Sequence, residues 1–368
     1  MPFCARACPY CDFDFKVQPR PEIAAYLAAL EREVSTRSRT RIWAFDTVYV
    51  GGGTPSTLGA EGLYSLLSWI DHSFVVDRDA ERTVELNPEH IDGNLVASLL
   101  DSGVTRVSLG VQTVDPGGLN ILGRVHDENA VRRALTLLVA TPLEVSLDLI
   151  VGWPGQTSRQ LERDLSVLIS SGSNHVSVYA LTVEEGARWN GLVRRGLRQY
   201  PDPDRQADLL EFAAGRLTDA GFEHYEISNF ARASQYSRHN NRYWTGGNVV
   251  GLGPSAASTT CDPSGAVLRE RNVRGYEAWR TGREPEEGSD TLAPGDAARE
   301  ALWLGLRKLS GVDTEAFLRR FSCVERGWID SRVRRQVQRG NLEWDGAVLR
   351  LAPGRWLWHD EVGVDLLG

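Results

Sequence analysis

Five short, almost unbroken apolar segments recur between helix-like stretches in the first half of the chain, and that rhythm constrains the fold more than any other feature. They are Asp46–Val50, Glu81–Glu85, Arg106–Gly110, Glu144–Asp148 and His175–Tyr179. Amphipathic stretches flank them: Glu22–Ser35, Leu63–Ser73, Gly93–Ser102, Glu128–Ala140 and Gln160–Ser171. Strands alternating with helices of this length build parallel β/α units. Helices then cover both faces of the sheet, which accounts for the loss of strict apolar–polar alternation. Five visible strands suit a partial barrel better than a closed ring of eight. In parallel barrels the loops after the strands line the functional face. Each strand here runs directly into conspicuous residues: Gly51–Pro55, Asn87-Pro88, Gln112, Leu149–Pro154 and Leu181-Thr182.

Beyond the barrel-like part, residues 186–290 read as irregular and turn-rich, as in Tyr200-Pro-Asp-Pro203 and Thr260–Gly265. Helices are expected over Asp296–Leu309, Asp313–Phe321 and Gly327–Arg339. A two-stranded ribbon follows, Leu342–Trp344 and Val348–Leu351, turning at Asp345-Gly346. Helices followed by a ribbon make a small α+β unit of winged-helix type, read here as structural or partner-docking. The expected division is a barrel over 1–190, an extension over 191–290 and the winged-helix-like domain over 291–368.

Charge and composition narrow the function. The net charge is −8, and nucleic-acid binding usually comes with a basic surface. The arginine groups Arg194, Arg195, Arg198 and Arg332, Arg334, Arg335 therefore read as solvated helix faces. No stretch reaches the roughly 18 uninterrupted apolar residues of a membrane helix. The start, Met1-Pro-Phe-Cys4, has neither the basic residues nor the apolar run of a signal peptide. A cytoplasmic protein without stable membrane insertion is expected.

Of the five cysteines, three fall in Cys4-Ala-Arg-Ala-Cys8-Pro-Tyr-Cys11. Cys261 and Cys323 stand alone and read as small buried apolar residues. The C-x3-C-x2-C spacing lets three thiolates converge on one inorganic centre. A closed structural zinc site wants four ligands, yet position 13 is Phe13 and the first histidine is His72. Three thiolates around a [4Fe–4S] cube leave one iron open to a further ligand. The spacing resembles the signature of the radical S-adenosylmethionine (SAM) superfamily, in which SAM chelates that iron through its amino and carboxylate groups.

The motifs that follow keep the resemblance in order. Gly51-Gly-Gly-Thr-Pro-Ser56 lacks the Gly-Lys-Ser/Thr element of a phosphate loop. In the family such a turn contacts the SAM amino group, which assigns Gly52, Gly53 and Thr54 to it. Glu85, at a strand end, suits an ammonium, and Arg124, in Leu122-Gly-Arg-Val-His126, suits a carboxylate. Gln112 and Asp148 suit ribose hydroxyls. As isolated residues, Glu85 and Arg124 could equally form an ion pair, and Asp148 could cap a turn. No catalytic residue is assigned.

Within the superfamily the chain resembles the oxygen-independent coproporphyrinogen III oxidase-like branch over nearly its whole length. The dehydrogenases of that branch carry a fourth cysteine, C-x3-C-x2-C-x-C, and a long segment before the first one. Here Cys11-Asp12-Phe13 stands instead, with three residues before Cys4. The HemW-type heme chaperones share C-D-F at this point. They also share Tyr225-Glu-Ile-Ser-Asn-Phe-Ala231, His239-Asn-Asn-Arg-Tyr-Trp244 and Gly251-Leu-Gly-Pro-Ser-Ala256. That resemblance implies heme as cargo, recipient hemoproteins as partners, and a cluster-dependent homodimer. His239 is the candidate axial ligand, or else a structural residue of an HNxxYW turn. The reading that stays beside it is radical decarboxylation of porphyrinogen propionates. Two departures from the family pattern stand out. The extended first strand before Cys4 begins partway, at Met1, so the first barrel strand is expected to be missing. The Pro-Gly after Ala231-Arg232 is replaced by Ala233-Ser234.

Overall fold

The computed structural model describes residues 1–37, 43–283 and 289–367, so Gly368, the last residue of the expected third domain, lies outside the described residues. The chain divides into two units. The first comprises Met1–Glu223, Ser228–Gln235 and Val273–Glu284, and the second comprises His224–Ile227, Tyr236–Asn272 and Pro285–Gly368.

The chain begins with a short parallel pair, β1 (Phe3–Cys4) and β2 (Lys16–Val17), and helix α1 (Ile23–Arg37). The β/α series then runs β3 (Ala44–Val50), α2 (Gly59–Ser73), β4 (Val75–Leu86), α3 (Gly93–Asp101), β5 (Arg106–Gln112), α4 (Pro116–Leu122) and α5 (Glu128–Val139). It continues through β6 (Glu144–Val151), α6 (Ser158–Ser170), β7 (His175–Ala180), α7 (Arg188–Arg194), α8 (Pro203–Asp219), β8 (Glu223–Glu226) and β9 (Asn229–Ala231). Strands β3 to β7 pair in parallel in sequence order, β9 joins β7 antiparallel, and β8 completes a seven-stranded sheet. This is the expected partial barrel. The sheet starts at β3, while β1 lies outside it.

The helices of this layer begin where their caps dictate. Asp92, Asp115 and Asp127 each accept an amide of the first turn of α3, α4 and α5. Thr157 and Gln160 form a capping box at α6. The same logic explains a helix the sequence reading missed. Asp202 caps α8 and Pro203 takes its first position, so the turn-like Tyr200–Pro203 run is the entry to a 17-residue helix.

The expected loss of alternation is also corrected. Val107, Leu109 and Val111 of β5 are fully buried, as are Leu147 and Leu149 of β6 and Val176 of β7. Between them stand Arg106, Ser108, Gly110 and Gln112, then Glu144, Ser146 and Asp148, then His175 and Ser177. The register sets Ser108 beside Ser146 and Asp148 beside Ser177. Both faces are covered, since Arg106, Ser108, Ser146, His175 and Ser177 are buried too, but one face is lined by apolar side chains and the other by polar ones. Period 2 therefore survives.

In the second unit, α9 (Arg238–Trp244) is followed by an antiparallel sheet of β10 (Ala257–Cys261), β11 (Val267–Arg271) and β12 (Asp290–Leu292). Between β11 and β12 the short helix α10 (Tyr276–Arg280) belongs to the first unit. Then come α11 (Pro294–Gly305), β13 (Val312–Asp313), α12 (Thr314–Arg320), α13 (Arg326–Gln338), β14 (Leu342–Trp344), β15 (Val348–Leu351) and α14 (His359–Leu367). The order β13-β15-β14 and the helix–strand–helix–helix–ribbon sequence make this part winged-helix-like, with the ribbon on the expected residues. Its core gathers Leu302, Leu306, Phe321, Ile329, Leu349 and Val362. Two expectations fail here: Cys323 is exposed and Cys261 only half-buried. Cys323 falls in the turn between α12 and α13, where Phe321 and Val324 take the core-facing positions and the thiol is left outside. The Cys261 Sγ faces the Gly246 carbonyl and the Arg320 guanidinium. No helix among the described residues is long and apolar enough to cross a membrane.

Candidate metal and cofactor site

The cysteine loop leaves β1 and re-enters at β2. Lys16 and Gln18 amides donate to Pro2 and Cys4 carbonyls, closing its neck at 2.6 and 2.9 Å. Within it the Cys11 amide donates to the Cys8 carbonyl at 3.3 Å. All three thiols are free and half-buried. Burial pushes the Cys11 thiol up to about 11, and Cys8 and Cys4 nearby push it further the same way. Burial likewise raises Cys4, against a hydrogen bond that Thr54 Oγ1 donates to its sulfur at 3.4 Å. Three thiolates within one another's field call for a cationic centre. No three His, Cys, Asp or Glu side chains among the described residues converge on a single metal ion. An iron–sulfur cube makes a different demand, since each thiolate binds its own iron. A donor set of three sulfurs with no imidazole or carboxylate fits that group.

Beside Cys4 runs the Gly51–Thr54 turn, at the end of β3. Gly52 has φ of +104°, a backbone that favours glycine. Its amide donates to Glu85 Oε2 at 3.1 Å. Gly53 and Thr54 amides donate to the Met1 and Phe3 carbonyls at 2.6 and 2.7 Å, so this turn carries the strand that bears Cys4. A Cβ on Gly53 would stand 2.5 Å from the Phe3 carbonyl oxygen.

Two acids face this region, Glu85 from the end of β4 and Asp148 from β6, with β5 between the two strands. Glu85 accepts from Tyr49 Oη at 2.7 Å, and burial raises its carboxyl above the usual range. Asp148 accepts from Ser108 Oγ at 2.8 and 3.0 Å; burial raises it to about 6, and the Glu85 charge adds to the rise. Burial disfavours both carboxylates and the Glu85 charge adds to the cost at Asp148, so a cationic ligand beside them would favour their charged forms. Arg124 is the counterweight. Its Nη2 donates to Asn87 Oδ1 at 2.7 Å and to the Gly110 carbonyl at 2.9 Å, and its Nη1 lies 4.0 Å from Cys8 Sγ. Burial works against its charge, but the nearby Tyr10, Cys8 and Glu89 raise it on balance. Gln112 Nε2 and Arg124 Nη2 both reach over Gly110, within 3.0 and 3.4 Å of where a Cβ would stand. Gln112 Oε1 and Arg124 Nε are buried without a hydrogen-bond partner. Orphaned polar atoms on neighbouring side chains are what an absent ligand leaves behind.

The structure therefore brings Cys4, Cys8, Cys11, Thr54, Glu85, Gln112, Arg124 and Asp148 to the strand ends of one unit. It replaces the isolated-residue readings: Glu85 bonds Tyr49 and Gly52, Arg124 bonds Asn87 and Gly110, and Asp148 bonds a neighbouring strand instead of capping a turn. His126, near the same network, is buried, with Nε2 on the Val111 carbonyl at 2.9 Å and Nδ1 3.4 Å from Glu89. His239 lies in the second unit, on α9, which Ser237 caps. Its Nε2 is 3.1 Å from Tyr243 Oη. The sequence reading missed Tyr49 and Asp164, because neither belongs to a motif. Asp164 accepts from Thr113 Oγ1 and the Val114 amide, directly after Gln112.

Comparison with known proteins gives a consistent family. Residues 1–168 match the model of the radical SAM superfamily. The "Heme chaperone HemW" of Mycobacterium tuberculosis is 41% identical over 380 residues, covering 100% of this chain and 93% of its own. The protein of the same description from Bacillus subtilis is 30% identical over 375 residues, covering 100% and 97%. Among solved structures, coproporphyrinogen III oxidase (HemN) from Escherichia coli, described as a radical SAM enzyme, superposes with a TM-score of 0.83. The match covers 100% of this chain and 88% of that one at 19% identity, which speaks to the fold. With relatives this similar over their full length, the chain belongs to the HemW heme chaperone family of radical SAM proteins.

Proposed function

We propose that this protein binds heme and hands it to recipient hemoproteins, and that it carries a [4Fe–4S] cluster on Cys4, Cys8 and Cys11. The observation that carries the reading is end-to-end similarity to proteins described as heme chaperones, at 41% identity. At the position where the dehydrogenase branch has a fourth cysteine stands Phe13, which is 67% exposed. SAM is the proposed ligand of the open iron, with its amino group at Gly52, Gly53, Thr54 and Glu85. Arg124 would hold its carboxylate, and Gln112 and Asp148 its ribose. When bound, the cluster supplies the electron that cleaves SAM reductively; the protein's own residues bind, orient and neutralise. The raised Glu85 and Asp148 carboxyls would ionise fully on meeting that cation.

His239 is the proposed axial ligand of the heme iron, since imidazole is a common axial donor. Binding would require its Nε2 to leave the Tyr243 hydroxyl. On this reading residues 1–190 hold the cofactors, 191–290 carry the heme ligand, and 291–368 dock partners. The acidic net charge of −8 argues for protein recipients and against nucleic acid. The cytoplasm is the proposed location, and a cluster-dependent homodimer the proposed assembly.

The test is a heme titration of the anaerobically reconstituted protein, followed at the Soret band. Saturable binding that His239→Ala weakens and Cys4→Ala leaves intact supports the chaperone. No heme binding by a protein with a full cluster overturns it. Release of 5′-deoxyadenosine together with a decarboxylated porphyrin would move the assignment to the dehydrogenase.

A further inference from the structure

Residues 5–15 form neither helix nor strand. Among the described residues the one backbone hydrogen bond within that stretch is the Cys11–Cys8 bond. Ordering an irregular loop costs about 1–2 kcal/mol per residue in backbone entropy. The loop must therefore be held from outside. One side of it is held by the barrel: the Trp189 amide donates to the Pro9 carbonyl at 2.8 Å, and Tyr10 packs among Leu122, Trp153 and Trp189.

The other side is held by a segment that arrives from far along the chain. The Gly275 amide donates to Asp14 Oδ2 at 2.6 Å. Lys16 Nζ meets Glu277 at 2.6 Å and lies over the Tyr276 ring at 5.0 Å. Arg274 reaches Asp12 at 3.9 Å, and Tyr276 packs edge-on against the buried Phe3, next to Cys4, at 4.9 Å between ring centroids. The segment is itself tied to α1: Trp279 Nε1 donates to Glu33 at 2.9 Å, and Arg32 Nη2 donates to the Arg280 carbonyl at 2.5 Å. Residues 273–283 stand in sequence between two stretches of the second unit yet belong to the first. Nothing in the winged-helix-like core or in the sheet of β10 to β12 requires that excursion.

We infer that residues 273–283 are a strap that holds the cysteine loop in its ligating shape, with Asp12, Asp14 and Lys16 as its positioning residues. This rests on the cluster reading above. The exposed ion pairs contribute little. The part-buried Asp14–Gly275 bond and the Tyr276–Phe3 contact carry the weight. A loop so held presents three thiols before iron arrives, in the way a supporting layer preorganises any metal site.

The test uses the full chain with Asp14→Ala, Asp14→Asn and Trp279→Phe. In the cluster-free protein, hydrogen exchange of residues 5–15 should quicken at least about tenfold in Asp14→Ala, the loss of one hydrogen bond to a charged group. Exchange in β5 and β6 should not change. After reconstitution, a ferrous chelator should strip iron from Asp14→Ala and Trp279→Phe severalfold faster than from wild type. Asp14→Asn, which keeps an acceptor for the Gly275 amide, should restore most of the protection. Wild-type exchange and release rates in both Asp14→Ala and Trp279→Phe would overturn the strap. So would quickened exchange throughout the unit, since that signals mere destabilisation. Failure of the wild type to take up a cluster would sink the cluster reading instead, while the exchange measurement would still decide the strap.

Discussion

Asp164 should make the first unit lose stability as pH rises, and Asp164→Asn should remove that loss. The residue lies on α6, fully buried, and among the described residues Thr113 Oγ1 and the Val114 amide are its hydrogen-bond donors. Burial pushes its carboxyl up to about 7, those two hydrogen bonds pulling it part of the way back. In the unfolded chain it titrates near 3.8. Between those values the native protein keeps a proton that the unfolded chain has released. Stability from this group is therefore complete below pH 4 and is lost as pH climbs through 7. A separation of about 3 units, at 1.36 kcal/mol each, gives about 4 kcal/mol in total, of which about 2–3 kcal/mol falls between pH 5 and pH 8. Asparagine cannot ionise, yet its carbonyl oxygen still accepts from Val114. Urea denaturation of the cluster-free protein at pH 5, 6, 7 and 8 measures the effect. The difference between wild type and Asp164→Asn cancels other titrating groups such as Asp148. It should shift toward the variant by about 2–3 kcal/mol across that range. A difference that stays flat with pH would refute the reasoning and place Asp164 in a wetter setting.

Other substitutions probe the site and its supports. Gly53→Ala drives a methyl into the Phe3 carbonyl, 2.5 Å away, so iron uptake on reconstitution should fall far below that of wild type. Asn87→Ala removes the acceptor of a 2.7 Å bond from Arg124. A charged hydrogen bond of this kind is worth about 1.5–3 kcal/mol, so calorimetric SAM affinity should drop about tenfold or more. Ala233 holds a left-handed backbone, φ 51°, at a cost of about 1–2 kcal/mol. Ala233→Gly should therefore raise the melting temperature slightly, and a lower one would show that its methyl packs usefully.

The cysteine spacing, the glycine turn and the order of strands were legible in the sequence because each is local. The ribbon at Leu342–Leu351 was legible for the same reason: Asp345-Gly346 forces a turn between two apolar runs. Helix α8 was not read, because its entry, Pro201-Asp-Pro203, looks like a loop until Asp202 is recognised as a cap. Alternation in β5 to β7 escaped because serine and glycine sit among valines and leucines without breaking the apolar impression. That single misreading hid the polar face on which Ser108, Asp148 and Ser177 meet. The partners of Arg124 and of the cysteine loop could not be read at all. Asn87 lies 37 residues from Arg124 and Gly275 lies 261 from Asp14, and only the register of the folded sheet and the return of the chain bring them together.

The interrupted make-up of the first unit has a consequence for how the protein is born. A ribosome that has finished the cysteine loop must still translate some 260 residues before Gly275 emerges to meet Asp14. At roughly 5–20 residues per second that interval lasts on the order of 13–50 seconds. Through it the thiols of the nascent chain stand on a loop fastened on the barrel side at best, open to whatever donates iron and sulfide and equally to oxidants. Slow codons or pauses after residue 190 would lengthen that interval, and a truncated product ending before residue 273 would never leave it.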